Sequence, residues 1–528
     1  MSWQIRGFSV VTSLMMLVGC GGGGGGGGNA PLNPPTSGSV PYTPGVYQPS
    51  SGLAAQCVAP RSGTDPRSGR AWPDRQGSVA SENNYLRSWT NELYLWYREV
   101  PDLNPSNTND TLNYFDLLRT SATTPSGQDK DKFHFTYDTD DWIALSESGV
   151  EAGYGAEWFL ASTTPPRRII VAYTEPGSPA ASGNLTRGAE VLRIDGIDAV
   201  NGNTQAIVDT LIAGLFPEGI NEAHTFEIRE LNGSPRTVTL TSAEVTSAPV
   251  PVFKTIGSVG YLLFNDHIAT SEPALINAVN TLRNQSITDL VLDIRYNGGG
   301  FLDIASELAY MIGGTRTAGR TFERLVFNDK HPSTNPVTGQ ALTPTPFHTT
   351  NQFIAPTGQA LPTLDLPRVY VLTGPNTCSA SEAIINSLRG VNVEVYQIGS
   401  TTCGKPYGFY PQDNCGTTYF SIQFQGNNEL GFGNYPDGFS PNNTSGQAGE
   451  RIPGCSVADD FTHPLGDPAE ARLAAALAFR AGNNQASACP AATGFAPGVQ
   501  TKPGQPLYIA DGVMLKSPAR ENRILRDM

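Results

Sequence analysis

The sequence has few basic residues. It carries 34 lysines and arginines against 48 aspartates and glutamates, so its formal net charge at pH 7 is −14. A protein that binds the phosphate backbone of a nucleic acid needs a basic surface, and no nucleic-acid partner is therefore expected. Charged residues of both signs make up only 16% of the chain, which suits an exported protein better than a coiled coil.

Long apolar segments are also missing. After residue 20 the sequence has no run of 18 apolar residues, which excludes a protein with several membrane-spanning helices. What is present is 39% hydrophobic residues, enough to build cores. The length of 528 residues suggests three or four domains at roughly 150 residues each.

The first residues predict export and lipid attachment. Arg6 precedes an apolar stretch at residues 7–18, which is too short to span a bilayer comfortably. The stretch ends in Leu17-Val-Gly-Cys20, which resembles the lipobox of bacterial lipoproteins. This resemblance implies a signal peptide at residues 1–19, cleavage before Cys20 and a lipid on Cys20. The alternative is an ordinary secretory signal in which the cysteine occurs by chance.

A segment that cannot build a core follows. Eight glycines occupy residues 21–28, and a tract rich in proline, serine and glycine continues to about residue 54. Residues 20–55 are therefore predicted to be a flexible tether for an anchored, otherwise soluble protein of the bacterial cell envelope. No aspartate follows Cys20, and similarity to lipoprotein sorting patterns favours the outer membrane, facing the periplasm.

Export would place the remaining cysteines in an oxidising compartment, where disulfides persist. Their number is even, which allows up to three disulfides in 15 possible pairings. Cys403 and Cys415 are close in sequence and are the favoured pair. No CxxC motif and no Cys/His cluster with zinc spacing is present, so no metal site is predicted. The six cysteines are Cys57, Cys378, Cys403, Cys415, Cys455 and Cys489.

Residues 56–144 are predicted to form a small helical region. Apolar residues between Ser81 and Val100 recur at spacings of three and four, which indicates an amphipathic helix with Ser81 as its cap. A second helix is expected at residues 112–118. The stripe on the first helix is interpreted as core packing, and its members are Leu86, Trp89, Leu93, Trp96 and Val100.

Residues 145–247 have the pattern of a β-rich domain, with short strands between turn signals. The run from residue 176 to residue 196 resembles the signature of a PDZ domain. This resemblance implies a loop that receives the C-terminal carboxylate of a peptide through backbone N–H groups, followed by a strand that adds the peptide by β-augmentation. A PDZ shape without a ligand is the alternative. The loop residues are Gly153, Tyr154, Gly155 and Ala156.

Residues 248–482 alternate strands with helices, which is the pattern of an α/β core. The insert at residues 314–366 has many prolines and threonines and little periodicity, and it is predicted to be a long surface loop. In the tail, residues 483–528, one hairpin is expected from segments 507–509 and 513–515. Predicted strands lie at 259–264, 290–295, 368–373, 394–398 and 419–424, and predicted helices at 271–282, 302–312 and 381–388.

Three segments of this core contain candidate catalytic residues. The first is Thr-Cys-Ser-Ala-Ser-Glu at residues 377–382, between a buried strand and a helix start. Ser379 is a candidate nucleophile there, because a helix N-terminus favours developing negative charge. A helix cap is the alternative role for Ser379, unless Ser381 is the cap.

The second segment is a glycine-rich turn that leads to Lys405, 26 residues after Ser379. A lysine acts as a general base only when it is neutral, which requires removal from water. The alternative is an exposed and solvated lysine.

The third segment follows a strand and contains Gly298, Gly299 and Gly300. Backbone N–H groups in a glycine turn before a helix can receive an oxyanion. The segment lacks the residues and spacing of a nucleotide-phosphate loop, so a nucleotide site is not expected.

Together the three segments resemble the C-terminal processing peptidases, also called tail-specific proteases, over residues 145–480. The resemblance implies a PDZ domain coupled to an α/β core related to the crotonase and Clp-protease folds. It also implies Ser379 as the nucleophile, in a Ser-Ala-Ser-Glu motif, and Lys405 of a Gly-Lys pair as the general base. The remaining site residues implied are Gly299, Gly300 and Ala380 as oxyanion donors and Glu382 as a supporting residue.

The sequence departs from this family pattern around the lysine and the glycines. Gly298 stands where the family usually has proline, and Pro406 follows the lysine directly. Phe409 stands where the family often has a glutamine that orients the lysine. Gln412 and Gln423 are the candidates to replace that glutamine.

The sequence therefore predicts a serine endopeptidase with a Ser–Lys dyad that acts on polypeptides selected through their C-termini. No cofactor is implied, and the oligomeric state is left open. One alternative is a PDZ peptide-binding lipoprotein with weak or no catalysis. A second is a hydrolase with a Ser–His arrangement, for which His267, just after a predicted strand, is the candidate.

Overall fold

The computed structural model describes residues 42–162, 164–443 and 449–493, together with the backbone of two short strands at 513–515 and 523–524. Within these ranges no helix is long and apolar enough to cross a membrane. The predicted signal peptide and Cys20 lie outside the described residues.

The N-terminal region is built around one long helix. It contains α1 (Ser50–Leu53), β1 (Gln56–Cys57), β2 (Arg75–Gln76), α2 (Val79–Leu93), α3 (Thr111–Asp116), β3 (Phe135–Asp138) and α4 (Thr139–Ile143). The prediction that Ser81 caps the helix is wrong, because Ser78 holds that position and accepts a 3.2 Å hydrogen bond from the N–H of Ser81. Leu86 and Trp89 are buried in the core of this region, as expected for the apolar stripe.

The predicted tether ends earlier than residue 55. The side chain of Arg87 on α2 donates hydrogen bonds to the carbonyl oxygens of Val46 (3.0 Å) and Thr43 (3.3 Å). The N–H of Ser50 donates to the carboxylate of Glu92 at 2.8 Å. Residues 42–55 are therefore part of the folded N-terminal region.

The next region is an antiparallel sheet with two helices. Its elements are β4 (Val150–Gly153), β5 (Ala156–Ser162), β6 (Arg168–Thr174), α5 (Pro179–Ser182), β7 (Glu190–Ile194), β8 (Ile197–Asp198), α6 (Gln205–Leu215), β9 (Ala223–Arg229), β10 (Pro235–Thr241) and β11 (Ala243–Thr246). The main sheet has the order β10-β9-β7-β6-β5, with β8 paired to β7. Trp158 and Phe226 stack in its core. β4 pairs with β11, so the two ends of this region lie side by side.

The third region is an α/β core, as predicted. Its elements are β12 (Val252–Ile256), β13 (Val259–Leu263), α7 (Ser271–Asn284), β14 (Asp289–Asp293), β15 (Gly300–Phe301), α8 (Leu302–Gly313), β16 (Thr321–Phe327), β17 (Thr345–Pro346), β18 (Arg368–Thr373), α9 (Ala380–Gly390), β19 (Glu394–Gly399), β20 (Tyr407–Gly408), β21 (Gln412–Asn414), β22 (Thr417–Phe420), β23 (Phe424–Asn427), β24 (Phe439–Pro441), β25 (Glu450–Ile452), β26 (Gly454–Ser456) and α10 (Ala471–Ala481).

The central sheet of this core has the order β12-β13-β14-β18-β19-β26 and is parallel except for the β12–β13 pair. One face packs on α7, α8 and α9, and the other on α10. The strands are buried on both faces, which explains their continuous apolar sequences. The three candidate segments follow the carboxyl ends of β14, β18 and β19, which are neighbours in the sheet, so the parallel topology brings the segments together.

Two predictions about this core are wrong. The insert at residues 314–366 is not a surface loop throughout, because β16 pairs with β23 and the side chains of Phe322, Phe327 and Phe347 are buried. The predicted strand at 419–424 is divided into β22 and β23. These two strands belong to different sheets, with β22 paired to β21 and β3, and β23 paired to β16 and β20.

The two tail strands pair with distant parts of the chain. β27 (Val513–Leu515) is antiparallel to β5, and β28 (Arg523–Ile524) is parallel to β15. Of the predicted hairpin, residues 513–515 form a strand whose described partner is β5, so the hairpin pairing stays a prediction. Its other half, residues 507–509, lies outside the described residues.

Three disulfides join the cysteines in pairs that differ from the favoured one. They are Cys57–Cys415, Cys378–Cys403 and Cys455–Cys489. The predicted pairing of Cys403 with Cys415 is wrong. Cys415 lies in the turn between β21 and β22, and the pairing of β22 with β3 brings that turn to the N-terminal region.

Candidate active site

Ser379 lies at the point where the chain leaves β18 and enters α9. Its backbone is strained, with φ +58° and ψ −112°, in a region that side-chain-bearing residues rarely adopt. Its Oγ is buried and makes no hydrogen bond with the described residues. A serine on a strained strand-to-helix turn with an unengaged hydroxyl is typical of nucleophiles.

The neighbouring serine has a different role. Ser381 lies inside α9 and is therefore not the helix cap; Ser379 holds the N-cap position, which was its alternative role. Its Oγ donates a 3.0 Å hydrogen bond to the carbonyl oxygen of Asn297, next to the glycine turn. Ser381 thus fastens α9 to the candidate oxyanion segment.

Glu382 joins the segment of Ser379 to the segment of Lys405. Its carboxylate accepts hydrogen bonds from the N–H groups of Ser379 (3.0 Å), Gly404 (2.9 Å) and Lys405 (2.8 Å), and from Thr402 Oγ1 (2.5 Å). The N–H groups of Ser379 and Lys405 share one oxygen, Oε2. Burial raises the pKa of Glu382, and these four hydrogen bonds oppose that rise.

A disulfide makes a second connection between the same two segments. Cys378 precedes Ser379, and Cys403 precedes Gly404 and Lys405. Their Cα atoms are 5.2 Å apart, and the N–H of Cys403 donates to the carbonyl oxygen of Thr377 at 3.0 Å. This disulfide was not predicted from the sequence, although its two cysteines flank the predicted dyad.

Lys405 is fully buried, so the alternative of a solvated surface lysine is wrong. Its Nζ lies 4.6 Å from the ring centre of Phe133 and 4.8 Å from that of Phe409. Removal from water favours a neutral amine, whereas an aromatic face favours the cation and offsets part of that effect. Phe133 belongs to the N-terminal region, and no sequence pattern indicated its contact with the lysine.

The two glutamines considered as partners of the lysine have other contacts. Gln423 accepts a hydrogen bond from the N–H of Tyr410 (3.1 Å) and donates one to its carbonyl oxygen (3.2 Å). Gln412 lies on β21 and donates to the carbonyl oxygen of Asp413 at 3.1 Å. Gln423 therefore holds the backbone just after Phe409.

The glycine turn requires glycine at two consecutive positions, Gly299 with φ +108° and Gly300 with φ +132°. A Cβ on Gly300 would lie 2.3 Å from the carbonyl oxygen of His267, so no larger residue fits. The N–H of Gly299 already donates to Asn297 Oδ1 at 2.9 Å. This contact favours Gly300 over Gly299 as the oxyanion donor. Ala380 is the first residue of α9, a position whose N–H has no partner within the helix.

His267 holds this turn by hydrogen bonds. Its Nδ1 is 2.8 Å from Asn297 Oδ1, and its N–H donates to the carbonyl oxygen of Gly299 at 3.1 Å. Burial lowers the pKa of His267 to about 3, although the hydrogen bond with Asn297 opposes this. An imidazole with so low a pKa is a poor general base at neutral pH, which argues against the Ser–His alternative.

A buried ionic network connects the turn to the antiparallel-sheet region at residues 150–246, and sequence reasoning missed it. Arg187 donates to the hydroxyl of Tyr296 (2.7 Å) and to Asp459 (2.8 Å). Arg295 donates to Asp293, Asp459 and Glu470. Burial alone would raise the pKa of Asp459, but the guanidinium groups of Arg472, Arg187 and Arg295 hold it far below its usual range. The network ties residues 293–296 to Arg187, Asp459 and Glu470.

The predicted carboxylate loop is a turn between β4 and β5. The carbonyl oxygens of Tyr154 and Gly155 accept hydrogen bonds from the N–H groups of Ala180 (2.9 Å) and Glu175 (2.7 Å). Gly155 has φ +68°, and a Cβ there would lie 2.4 Å from the Cβ of Ser178. Gly153 ends β4 and Ala156 begins β5, so the loop leads directly into β5.

Among the described residues, two groups of Cys and Glu side chains have the proximity that a metal site needs. They are Cys57, Glu82 and Cys415, and Cys378, Glu382 and Cys403. In each group the two sulfurs are joined in a disulfide, which removes both thiolates that would bind a metal.

Part of this core matches a known protein family. Residues 258–408, which contain the glycine turn, Ser379 and Lys405, match the profile of peptidase family S41. Residues 258–408 therefore form a peptidase family S41 domain. The predicted resemblance to C-terminal processing peptidases is confirmed.

The similar proteins are as follows. The chain is 25% identical over 271 residues to the carboxyl-terminal-processing protease of a Picosynechococcus species, covering 50% of this chain and 56% of that protein. It is 30% identical over 174 residues to the chloroplastic carboxyl-terminal-processing peptidase 2 of Arabidopsis thaliana, covering 31% of this chain and 32% of that protein. The matches thus span about half, or less, of these relatives.

A solved structure shares the fold over most of the chain. The putative S41 protease of Bacteroides fragilis superimposes with a TM-score of 0.54 at 22% sequence identity, covering 78% of this chain and 99% of that one. The S41 peptidase fold, with mixed α/β structure, is thereby established for this protein.

Proposed function

We propose that the protein is a serine endopeptidase of the C-terminal processing type that cleaves exported polypeptides with a Ser379–Lys405 dyad. The observation that carries the proposal is the arrangement around Glu382. One carboxylate oxygen holds the N–H groups of both dyad residues, while the Ser379 hydroxyl sits unengaged on a strained turn. The family match supports a peptidase; the dyad is our assignment.

The proposed chemistry has two stages. The Oγ of Ser379 attacks the peptide carbonyl while the neutral amine of Lys405 takes the hydroxyl proton. The N–H groups of Gly300 and Ala380 receive the oxyanion of the tetrahedral intermediate. The proton on Lys405 then passes to the leaving amine, and an acyl-enzyme remains on Ser379. Water, deprotonated by Lys405, attacks the ester; the acyl–Oγ bond then breaks, Lys405 returns the proton to Oγ of Ser379, and the second product leaves.

The PDZ-like region is proposed to select substrates by their C-termini. The loop from Gly153 to Ala156 would bind the terminal carboxylate through backbone N–H groups, and β5 would take the preceding residues as an added strand. Support comes from the position of β5 directly after that loop, and from its place as the last strand that residues 150–246 contribute to their sheet. A lipid on Cys20 would hold the enzyme at the outer membrane, facing the periplasm.

A second candidate function is peptide binding with weak or no catalysis. One observation favours it: Nζ of Lys405 faces the rings of Phe133 and Phe409. Phe409 stands at the position where the family often has a glutamine. Aromatic faces stabilise an ammonium ion, which cannot act as a base.

One experiment separates the two functions. The purified protein is incubated with an unstructured protein, and new termini are identified by mass spectrometry. Cleavage by the wild type that disappears in Ser379→Ala supports the endopeptidase. The control is Ser387→Ala, a buried serine on α9 whose Oγ bonds only to its own helix, at the carbonyl oxygen of Ile384. Equal cleavage by the wild type and Ser379→Ala would refute the dyad.

A further inference from the structure

The edge of β5 that a peptide would use is occupied by the chain itself. β5 pairs with β6 on one side and with β27 on the other. In the β27 register Val513 is opposite Leu160, Met514 opposite Phe159 and Leu515 opposite Trp158. An added strand that hydrogen-bonds to a sheet edge is the basis of β-augmentation, so β27 excludes a second strand there.

The direction of this strand matches that expected of a ligand. β5 starts at the Gly153–Ala156 loop, and β27 runs antiparallel to it, from the position of Leu160 towards that of Trp158. The C-terminal side of β27 therefore points at the loop. A peptide with its terminal carboxylate in the loop would run the same way.

The second tail strand lies at the glycine turn. Gly300 pairs with Arg523, and Phe301 with Ile524. Residues 523–524 also lie beside β20, which begins two residues after Lys405. β28 is thus situated between the candidate oxyanion donor and the segment that carries the candidate base.

The two contacts belong to one short segment. Residues 515 and 523 are eight positions apart, and eight extended residues span at most about 27 Å. A substrate that binds the edge of β5 and reaches the glycine turn must cross the same interval. It would meet a tail strand at both ends of that path.

We propose that strands β27 and β28 form an autoinhibitory segment, which occupies the peptide edge of β5 and the glycine turn and must be displaced before a substrate is cleaved. This inference rests on the proposed function for its consequence on catalysis. The occupant itself is this chain, held at a high effective concentration because it is covalently attached. If the tail is docked in nine molecules of ten, it weakens the apparent affinity for a peptide about tenfold.

The test uses the full chain in a Ser379→Ala background, so that the tail cannot be removed by catalysis. The variant is Val513→Pro with Met514→Pro. The N–H groups of adjacent strand residues point in opposite directions. One of the two prolines therefore removes a hydrogen bond to β5, whichever of the two residues has its N–H directed at β5. The control is Gln500→Pro with Thr501→Pro, which adds two prolines outside both strands.

Two measurements are made on each protein. The first is the Kd of a fluorescent peptide with a free C-terminal carboxylate, by anisotropy. The second is amide hydrogen exchange at residues 158–160 and 300–301. The inference expects about tenfold tighter peptide binding in the 513/514 variant and faster exchange at both sites, with the control unchanged. Equal Kd and equal exchange in all three proteins would overturn it.

To distinguish the autoinhibitory segment from the proposed peptidase function, the same variants and their control are prepared with Ser379 present. If peptide affinity rises but no protein is cleaved, the autoinhibitory segment stands and the peptidase proposal fails. If all three proteins cleave at the same rate and bind the peptide equally, the peptidase stands and the autoinhibitory segment is refuted.

Discussion

The disulfide between Cys378 and Cys403 offers a sharp test of how the site is held together. It joins the segments of Ser379 and Lys405, which also share the Glu382 carboxylate. Replacing both cysteines by alanine removes the covalent connection and leaves small apolar side chains at two buried positions. The matched control is the same double replacement at Cys455 and Cys489, which join β26 to the segment after α10.

The two double variants are expected to lose similar stability. The sequence separations are 25 residues for Cys378–Cys403 and 34 for Cys455–Cys489, which correspond to about 3.5 and about 3.8 kcal/mol of loop-closure entropy in the unfolded chain. Their effects on catalysis should differ. A displacement of about 1 Å between the segments of Ser379 and Lys405 is enough to reduce kcat about 100-fold. The control leaves those segments connected and should stay within about twofold of the wild type.

The assay is cleavage of an unstructured protein at 20 °C, with urea unfolding of each variant to establish that it is folded under the same conditions. Equal loss of kcat in the two variants would refute the reasoning, because the disulfide near the dyad would then act only through global stability. Wild-type kcat in the Cys378/Cys403 variant would show that Glu382 alone aligns the two segments.

Three further predictions follow from single groups. Lys405→Arg should be as inactive as Lys405→Ala in the cleavage assay, because a guanidinium does not release its proton; near wild-type cleavage would mean that the residue acts through charge alone. Burial, with Glu272 nearby, raises the pKa of Glu307 to about 10, so the folded state keeps this group protonated while the unfolded state ionises above about pH 4.5. Stability should fall by about 1.4 kcal/mol per pH unit between those values, and Glu307→Gln should flatten this decline in Tm measured from pH 6 to pH 9; an unchanged slope would contradict the shift. Cys20→Ser should release the protein from the membrane fraction or block its processing, and unchanged fractionation and maturation on immunoblots would refute the lipid anchor.

Several elements could be predicted because their signals are local. β13, β14, β18 and β19 are short apolar runs bounded by turns, and parallel packing on both faces requires that composition. The segments of Ser379, Lys405 and Gly300 follow three of these strands, so their convergence could be inferred from the α/β pattern. The relation to the crotonase and Clp-protease folds, and the PDZ assignment, stay predictions.

The wrong predictions mostly concern residues that are neighbours in space but distant in sequence. Cys57 pairs with Cys415 across 358 residues, and no local spacing records that contact. The insert at residues 314–366 has weak periodicity, yet β16 is fixed by its partner β23 about a hundred residues later. The helix cap was misplaced by three residues, since Ser78 and Ser81 both precede an apolar helical pattern and only the backbone angles of Ser78 distinguish them.

The sequence by itself determined the chemistry that is available: a serine at a strand-to-helix turn, a lysine after a glycine-rich turn and glycines before a helix. The tertiary structure decided the environment of each group. It buried Lys405 against Phe133 from the N-terminal region, turned the N–H of Gly299 towards Asn297 and placed β27 and β28 on β5 and the glycine turn. The physical reason is that residue type and local pattern are written along the chain, whereas desolvation and strand pairing depend on which distant segments the fold brings into contact.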